Sequence, residues 1–274
     1  MITLYDFGNS VACQKVRIVM CEKALNWETV KVDLFRAEQF NSEYLKLNPK
    51  GVVPTIVHEG KAINESTLIC EYLDDTFPEP RLVPPDSIQR VRMRFWSKAV
   101  DEGLHEGVTE ISFSAMFRER MRAMPPDIRE RRFRNIGDPR RRDRFKSTYE
   151  LGPRSPFVLY AIAAYERAFE VLDETLTNSG PWVLGNQISL ADISLMPYVA
   201  RLDYLNLLGL WTDRRPHVMS WWERVCDLPS FKRGLYEGIT ETEFEEMRAH
   251  GPKIRGDIAE ILANLRGNTA GQPN

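Results

Sequence analysis

The sequence lacks a long apolar run, a secretion signal and a strong net charge. No hydrophobic stretch approaches the roughly 20 residues that a membrane span needs. The opening MITLYDFGNS has neither the basic part nor the long apolar part of a signal peptide. With 37 basic and 39 acidic residues, the formal net charge of −2 argues against a general nucleic-acid or membrane-surface binder. We therefore expect a cytoplasmic protein whose partners are neither nucleic acids nor membranes.

Cysteine and histidine are equally sparse. The four residues of each kind are scattered, with no CxxC pair and no zinc-type spacing. Scattered thiols are typical of a reduced intracellular protein, and scattered histidines predict no metal centre. The rest of the composition is ordinary for a globular protein, with 43% hydrophobic and 28% charged residues. A chain of 274 residues is long enough for two domains and a sizeable core.

The chain has two parts with different sequence patterns. Up to about Phe77, short β-rich runs alternate with helical ones; beyond it, helical spacing dominates. A strand, helix and strand at the start predict a parallel strand pair with a right-handed crossover. The predicted order is β-α-β-α-β-β-α, formed by ITLYDF, 13–25, TVKVDL, 42–47, PTIV, KAI and 66–75.

A proline-rich stretch separates the two parts. PEPRLVPPD carries four prolines and cannot continue a helix, so we interpret it as a linker. The predicted organisation is an α/β domain at 1–79, an all-α helical bundle at 88–250, and a C-terminal helix and tail at 251–274. A short amphipathic helix is expected after Gly251, and the final GNTAGQPN is expected to be disordered.

Arginine is concentrated in one segment of the helical part. Between Arg118 and Lys146, eleven arginines and one lysine stand against five acids, a local charge of about +7. Because charge runs usually lie on the surface, a solvated helical insertion near 118–150 is the favoured interpretation. The alternative is a basic rim that attracts an anionic substrate or contacts a partner subunit.

Two features flank the predicted strands PTIV and KAI. A proline directly before a strand belongs at its start or edge, and a cis bond at Val53-Pro54 would leave the Val53 backbone free to pair with an extended peptide. Glu65 and Ser66 stand between a strand and a helix. The first N–H groups of that helix can bind a carboxylate, while Glu65 can hold an ammonium group. Taken singly, a loop proline and a helix cap are equally good interpretations.

A third feature follows the first strand. In NSVAC, Ser10 and Cys13 stand at the start of the first helix, where a hydroxyl or thiol can stabilise a sulfur anion. Alternatively, Ser10 is a plain helix cap and Cys13 a small buried hydrophobe.

The order of these features resembles the glutathione transferase superfamily. The matching text is NSVACQKVRIVM, NPKGVVPTIV and NESTLICEYLDDTFP, and later WVLGNQISLADISLMPYV, in which Ser189 and Asp192 would form a capping box. The resemblance covers the chain nearly end to end, apart from the insertion and tail. It implies a thioredoxin-like first domain, glutathione as cosubstrate, an aromatic small molecule as second substrate, and a two-fold homodimer.

Site residues follow from the resemblance. Serine-type members place their thiolate-stabilising serine on Ser10, whereas cysteine-type members place their cysteine on Ala12, next to Cys13; we prefer Ser10. Aromatic-rich stretches that could line the substrate pocket contribute Phe7, Phe113, Met116 and Phe117, although core packing is an equal alternative for each. Glutathione would be held by Gln39, Lys50, Val53, Pro54, Glu65 and Ser66.

Within the superfamily the chain is most similar to bacterial β-etherases, which cleave β-aryl ethers of lignin-derived dimers. The shared text is the FGN opening, ESTLICEYLDD, IGDPRRRDRFKSTYELGP and AYERAFEVLDETL. The chain departs from that pattern in a shorter loop before Cys13. General conjugation or dehalogenation of xenobiotics, and a non-catalytic glutathione-binding subunit, are the alternatives; reductive dehalogenation would need a cysteine at Ala12.

Overall fold

A computed structural model describes residues 1–269, and the chain divides into two compact units. The first unit comprises Met1–Lys98, Thr175–Pro197 and Met219–Glu241. The second comprises Ala99–Glu174, Tyr198–Val218 and the chain from Thr242 onward. Of the helices within 1–269, none combines the length and the apolar character that crossing a bilayer requires.

A four-stranded mixed sheet lies in the first unit. The strands β1 (Ile2–Asp6), β2 (Trp27–Lys31), β3 (Thr55–His58) and β4 (Lys61–Asn64) are arranged in the order β2-β1-β3-β4. β1 pairs with β2 in parallel, as the predicted crossover requires, and β3 is antiparallel to both β1 and β4. The hairpin turn between β3 and β4 lies at 59–60, where the sequence predicts it.

Three helices complete the predicted order. They are α1 (Val11–Glu22), α2 (Ser42–Leu47) and α3 (Ser66–Thr76). α1 begins at Val11 because Ser10 accepts the Cys13 N–H as its N-cap. The predicted fold class, a β-α-β-α-β-β-α part followed by an all-helical part, is confirmed.

Between residues 87 and 269 the chain is helical or irregular, apart from an isolated β-bridge between Trp182 and Gly185. At two points the helix widens to i→i+5 hydrogen bonds, in the π turns Val100–Leu104 and Phe113–Phe117. Short 3₁₀ turns occur at Glu38–Phe40, Gly152–Arg154 and Tyr236–Gly238. The helices are α4 (Ser87–Ala99), α5 (His105–Ser112), α6 (Arg118–Arg122), α7 (Pro126–Arg134), α8 (Pro139–Leu151), α9 (Pro156–Ser179), α10 (Leu190–Tyr204), α11 (Gly209–Thr212), α12 (Pro216–Asp227), α13 (Pro229–Leu235) and α14 (Glu241–Thr269).

The prediction of a separate helix after Gly251 is wrong, because α14 runs without a break through Gly251 and Pro252. Gly251 packs so closely on the Leu205 carbonyl that a Cβ would lie 1.9 Å from that oxygen. Buried apolar residues continue on both sides of this crossing, so packing outweighs the bond that proline cannot make. The helix also extends to Thr269 through the start of the predicted disordered tail; residues 270–274 lie outside the described part.

The basic insertion folds into α6, α7 and α8 around an apolar cluster of its own. Phe113, Met121 and Phe133 are buried in it, and five partly buried hydrophobic side chains pack against them. Some arginines have acidic partners: Arg120 with Glu246, and Arg144 with Glu106 and Glu110. The exposed arginines include Arg131, Arg134 and Arg140.

A buried carboxylate organises the start of α10. Asp192 accepts hydrogen bonds from the Ser189 N–H and O–H, the Val183 N–H and the Trp221 indole, at 2.9–3.0 Å. The Ser189 hydroxyl in turn accepts the Ala191 N–H. The predicted capping box is therefore confirmed. The carboxylate also ties the 183 loop and α12 to this helix start, which the sequence motif does not show.

Candidate functional site

The strand register brings three loops to one end of the sheet. Tyr5 near the end of β1 faces Thr55 at the start of β3, and Thr55 faces Asn64 at the end of β4. The loop after β1, the loop before β3 and the loop after β4 therefore share this end. These loops carry the three sequence features that point to glutathione, around Ser10, Val53-Pro54 and Glu65-Ser66.

Ser10 has a half-buried side chain at the positive end of α1. Its Oγ accepts the Cys13 N–H at 3.4 Å, and its own N–H donates to the Phe7 carbonyl at 2.8 Å. A hydroxyl that accepts a hydrogen bond still has its own hydrogen to donate. The local structure thus presents one O–H donor, together with the helix end, to an anion.

Cys13 lies one turn further along α1 and is fully buried, with 0% of its surface exposed. It packs with Val32, Tyr44 and Val53 in an apolar cluster. Burial raises the pKa of this thiol far above its ordinary value, and Asp6 adds to the effect; Arg17 and hydrogen bonds to Phe7 and Ser10 oppose it. In this environment Cys13 is a neutral packing residue.

The loop before β3 combines a cis peptide bond with one backbone position that makes no hydrogen bond within the described chain. The Val53-Pro54 bond is cis, as predicted. The preceding carbonyl, of Val52, accepts from the Tyr44 hydroxyl at 2.6 Å and from the Asn48 amide at 2.9 Å. Within residues 1–269, the Val53 N–H and C=O have no hydrogen-bond partner, so both can pair with a peptide.

Glu65 immediately precedes α3 in a left-handed backbone conformation, with φ at 68°. Such a conformation is costly for a residue other than glycine, and it recurs at ligand sites. The carboxylate pairs with Lys50 at 2.6 Å, and both side chains are largely exposed. Two predicted ligand-holding groups therefore satisfy each other. An exposed pair is worth only about 0–1 kcal/mol, so the charged ends of a peptide can replace it.

Gln39 lies in the 3₁₀ turn that precedes α2. Its Oε1 is buried and makes no hydrogen bond to any residue in the described chain. A buried amide oxygen without a partner is rare unless a ligand or water completes it. The Gln39 oxygen, the open Val53 backbone and the α3 N-terminus are therefore all available for polar contacts.

Sequence reasoning missed two buried cations of α1. Lys15 is fully buried and donates to the Thr67 hydroxyl at 2.7 Å, linking α1 to the start of α3. Arg17 is buried beside Asp6. The available signal was the pair of basic residues inside the apolar run of α1, since buried charges need dedicated partners.

The predicted substrate-pocket residues divide between the units. Phe7, in the first unit, is half-buried and lies edge-on to Phe35 with ring centroids 5.6 Å apart. Phe113 and Met116, in the second unit, are buried, whereas Phe117 is partly exposed. Phe113 stacks on Phe145 of the insertion at 5.0 Å.

Comparison with known proteins identifies the family of this chain. Residues 4–81 match the family model of the glutathione S-transferase N-terminal domain, and residues 118–224 match that of the C-terminal domain. The chain belongs to the glutathione S-transferase family. As a member it uses glutathione as its cosubstrate.

Two relatives, the first compared in both sequence and structure, give this family context. Protein LigF of Sphingobium sp. (strain NBRC 103272 / SYK-6) is 30% identical over 246 residues, covering 84% of this chain and 91% of that protein. The crystal structure of beta-etherase LigF from strain SYK-6 superposes with a TM-score of 0.75 at 28% identity, covering 86% of this chain and 99% of that one. Glutathione S-transferase Z1 of Arabidopsis thaliana is 27% identical, covering 86% and 92%.

Proposed function

We propose that this glutathione transferase joins the glutathione sulfur to an aromatic electrophile and that its substrate is a β-aryl ether. The observation that supports the proposal is the strand register, because the loops that carry Ser10, the open Val53 backbone and the Glu65-Ser66 helix start follow from one end of the sheet. The finer assignment to ether cleavage is supported by the likeness to beta-etherase LigF. The four free thiols support the expected cytoplasmic location.

Glutathione supplies the sulfur nucleophile, and the chain's task is to keep that sulfur ionised. A free thiol has a pKa of about 8.5, and lowering it by two units requires about 2.7 kcal/mol. The Ser10 O–H and the α1 N-terminus supply a charge-assisted hydrogen bond and a favourable dipole. Ser10 thus stabilises an anion and does not itself attack.

The remaining site residues hold the peptide. The first N–H groups of α3, with the Ser66 hydroxyl, receive the γ-glutamyl carboxylate, and Glu65 receives the ammonium group. Val53 pairs with the cysteinyl backbone, while Gln39 and Lys50 face the glycyl end. In ether cleavage the C–O bond breaks as the C–S bond forms, and the phenolate leaves and takes up a proton.

For the second substrate, the π turn at Phe113–Phe117 supports the predicted pocket. Three of the four predicted pocket residues lie in it, and π turns recur at functional sites. Phe117 is the partly exposed member, so we assign it the substrate contact, whereas Phe113 and Met116 are buried.

A substrate panel tests the proposed reaction. Incubation with glutathione and a β-aryl ether is expected to give a glutathione thioether and a free phenol, identified by product mass. S-methylglutathione, which has no ionisable thiol, is the control and is expected to give neither product. If a nitroaryl chloride or a haloaromatic reacts while the ether stays intact, general conjugation or dehalogenation replaces ether cleavage. Retention on glutathione resin without any turnover would indicate a binding subunit.

We also propose that the chain forms a homodimer. α4 exposes an apolar stripe at i, i+3 and i+7, where Ile88, Val91 and Phe95 are 61%, 65% and 55% exposed, and α3 adds the exposed Leu68. Large apolar side chains exposed along one side of a helix are typical of a protein interface. A second copy is the occupant that the family resemblance implies.

Val91→Asp is expected to convert the dimer into a monomer, because it places a charge at the centre of a desolvated face. Light scattering at micromolar concentration measures the change. Leu159→Asp, on an exposed apolar position of α9, is the matched control and should leave the mass unchanged. A wild-type protein that is already monomeric would refute the homodimer.

A further inference from the structure

The guanidinium of Arg17 joins three segments of the first unit. Its Nη1 donates to both carboxylate oxygens of Asp6 at 2.5 and 2.7 Å. Its Nε donates to the Gly234 carbonyl in α13 at 2.7 Å, and its Nη2 donates to the Gly8 carbonyl at 2.7 Å. The side chain is buried, so these bonds are shielded from water. A planar fork of donors suits such a three-way contact, and a lysine cannot reproduce it.

The segment that Arg17 holds is the one that carries Ser10. Asp6 ends β1, Gly8 follows two residues later, and the Ser10 N–H bonds back to the Phe7 carbonyl at 2.8 Å. Fixing the Asp6 carboxylate and the Gly8 carbonyl therefore fixes both sides of Phe7. Ser10 is only two residues from Gly8, so these bonds also restrict where the Ser10 hydroxyl can lie.

The packing around this loop is backbone against backbone. A Cβ on Gly8 would lie 1.7 Å from the Gly238 carbonyl oxygen, so Gly238 rests directly on the loop. A Cβ on Gly238 would in turn lie 2.4 Å from Nη2 of Arg17. The guanidinium thus fills the space between the loop and the 3₁₀ turn Tyr236–Gly238, and a single methyl group at Gly238 would displace Nη2 from the Gly8 carbonyl.

We propose that Arg17 is a positioning residue of the glutathione site: by holding Gly8 and Asp6, it sets the place from which Ser10 donates to the glutathione sulfur. This inference rests on the proposed role of Ser10. Arg17 is buried against the loop that carries Ser10, so it acts on thiolate formation rather than on recognition of the γ-glutamyl head. If the Arg17–Asp6 ion pair were purely structural, its loss would lower the stability of the protein and leave the pKa of the bound thiol unchanged.

The test measures the titration of the thiol in the binary complex, by ultraviolet absorbance of the thiolate, together with the melting temperature. Arg17→Lys keeps the charge but loses the fork. It is expected to raise the pKa of the bound thiol by about one unit, a roughly tenfold loss of thiolate at a pH below that pKa, while the dissociation constant of glutathione changes little.

The matched control is Lys23→Met. Lys23 is an equally buried cation of the same unit that pairs with Asp74 and donates to the carbonyls of Phe77 and Pro80. This variant is expected to lower the melting temperature and leave the bound-thiol pKa unchanged. If Arg17→Lys also lowers only the melting temperature, Arg17 is structural and the inference is overturned.

A milder variant covers the case in which Arg17→Lys does not fold. Gly238→Ala keeps the arginine and its charge, but the new methyl group pushes Nη2 and Cζ of Arg17 away from Gly8, so a rise of the bound-thiol pKa is expected here as well. An unchanged pKa would overturn the inference. Ser10→Ala distinguishes a failure of the role proposed for Ser10 from a failure of the positioning role proposed for Arg17. If Ser10→Ala itself leaves the bound-thiol pKa at the wild-type value, the role of Ser10 fails; if it raises the pKa and the Arg17 and Gly238 variants do not, only the positioning role fails.

Discussion

Replacing Ser10 by alanine is expected to raise the pKa of bound glutathione by one unit or more, equivalent to about 1.4 kcal/mol. The variant removes the only side-chain hydroxyl at the start of α1 and leaves the helix dipole in place. The rate should therefore fall most at low pH and recover partly as the pH rises toward the new pKa. Thiolate absorbance of the binary complex and the pH profile of kcat measure the two effects.

Cys13→Ala is the paired control for this prediction. Because the Cys13 thiol is buried and neutral, its loss should leave the thiolate titration unchanged and only loosen the apolar cluster. The opposite pattern, with Cys13→Ala inactive and Ser10→Ala silent, would refute the assignment of Ser10. Full activity of both variants would show that the helix end and backbone donors suffice.

Asp192→Ala is expected to cost about 3–5 kcal/mol of unfolding free energy, as for the loss of one partner of a buried charged network. Four donors from three segments converge on this carboxylate. Without it the Ser189, Val183 and Trp221 donors would be buried and unpaired. Since a domain is stable by only about 5–15 kcal/mol, much of the protein should be unfolded at moderate temperature. Chemical denaturation followed by tryptophan fluorescence and circular dichroism measures the loss.

Asp173→Ala provides a comparison for Asp192. Asp173 also accepts two backbone N–H bonds at a helix start, from His217 and Val218, but it is only half-buried. Its removal should cost about 1 kcal/mol, the usual value of a helix cap. Equal losses in the two variants would contradict the view that Asp192 joins three segments.

The strand and helix order of the first 77 residues could be predicted from the sequence because local signals agree there. Ser10 caps α1, Ser66 starts α3, and the turn at Glu59-Gly60 separates two short strands. The two π turns could not be predicted, because an i→i+5 bond depends on packing that no local pattern records.

At the candidate site, the loops could be predicted but the contacts between their side chains could not. The Lys50–Glu65 pair joins residues fifteen positions apart on different loops, and the sheet register alone brings them together. Cys13 and Ser10 are close in sequence, and only the packing of Val32, Tyr44 and Val53 shows that one faces the core. Arg17 is the clearest omission, since its role depends on a contact with Gly234, far along the chain.

The continuity of α14 limits where the protein can be truncated. With 29 residues, the helix is about 43 Å long. Gly251-Pro252 lies near its middle, and a glycine-proline pair would ordinarily be chosen as a truncation point. A coding region ended there would remove Ile254, Ile258 and Leu262, all buried, and the Arg266 side chain that bonds Glu166. The shortened product would expose an apolar surface and is expected to aggregate into inclusion bodies when expressed in cells. The second half of α14 is thus as much a part of the folded unit as its first half.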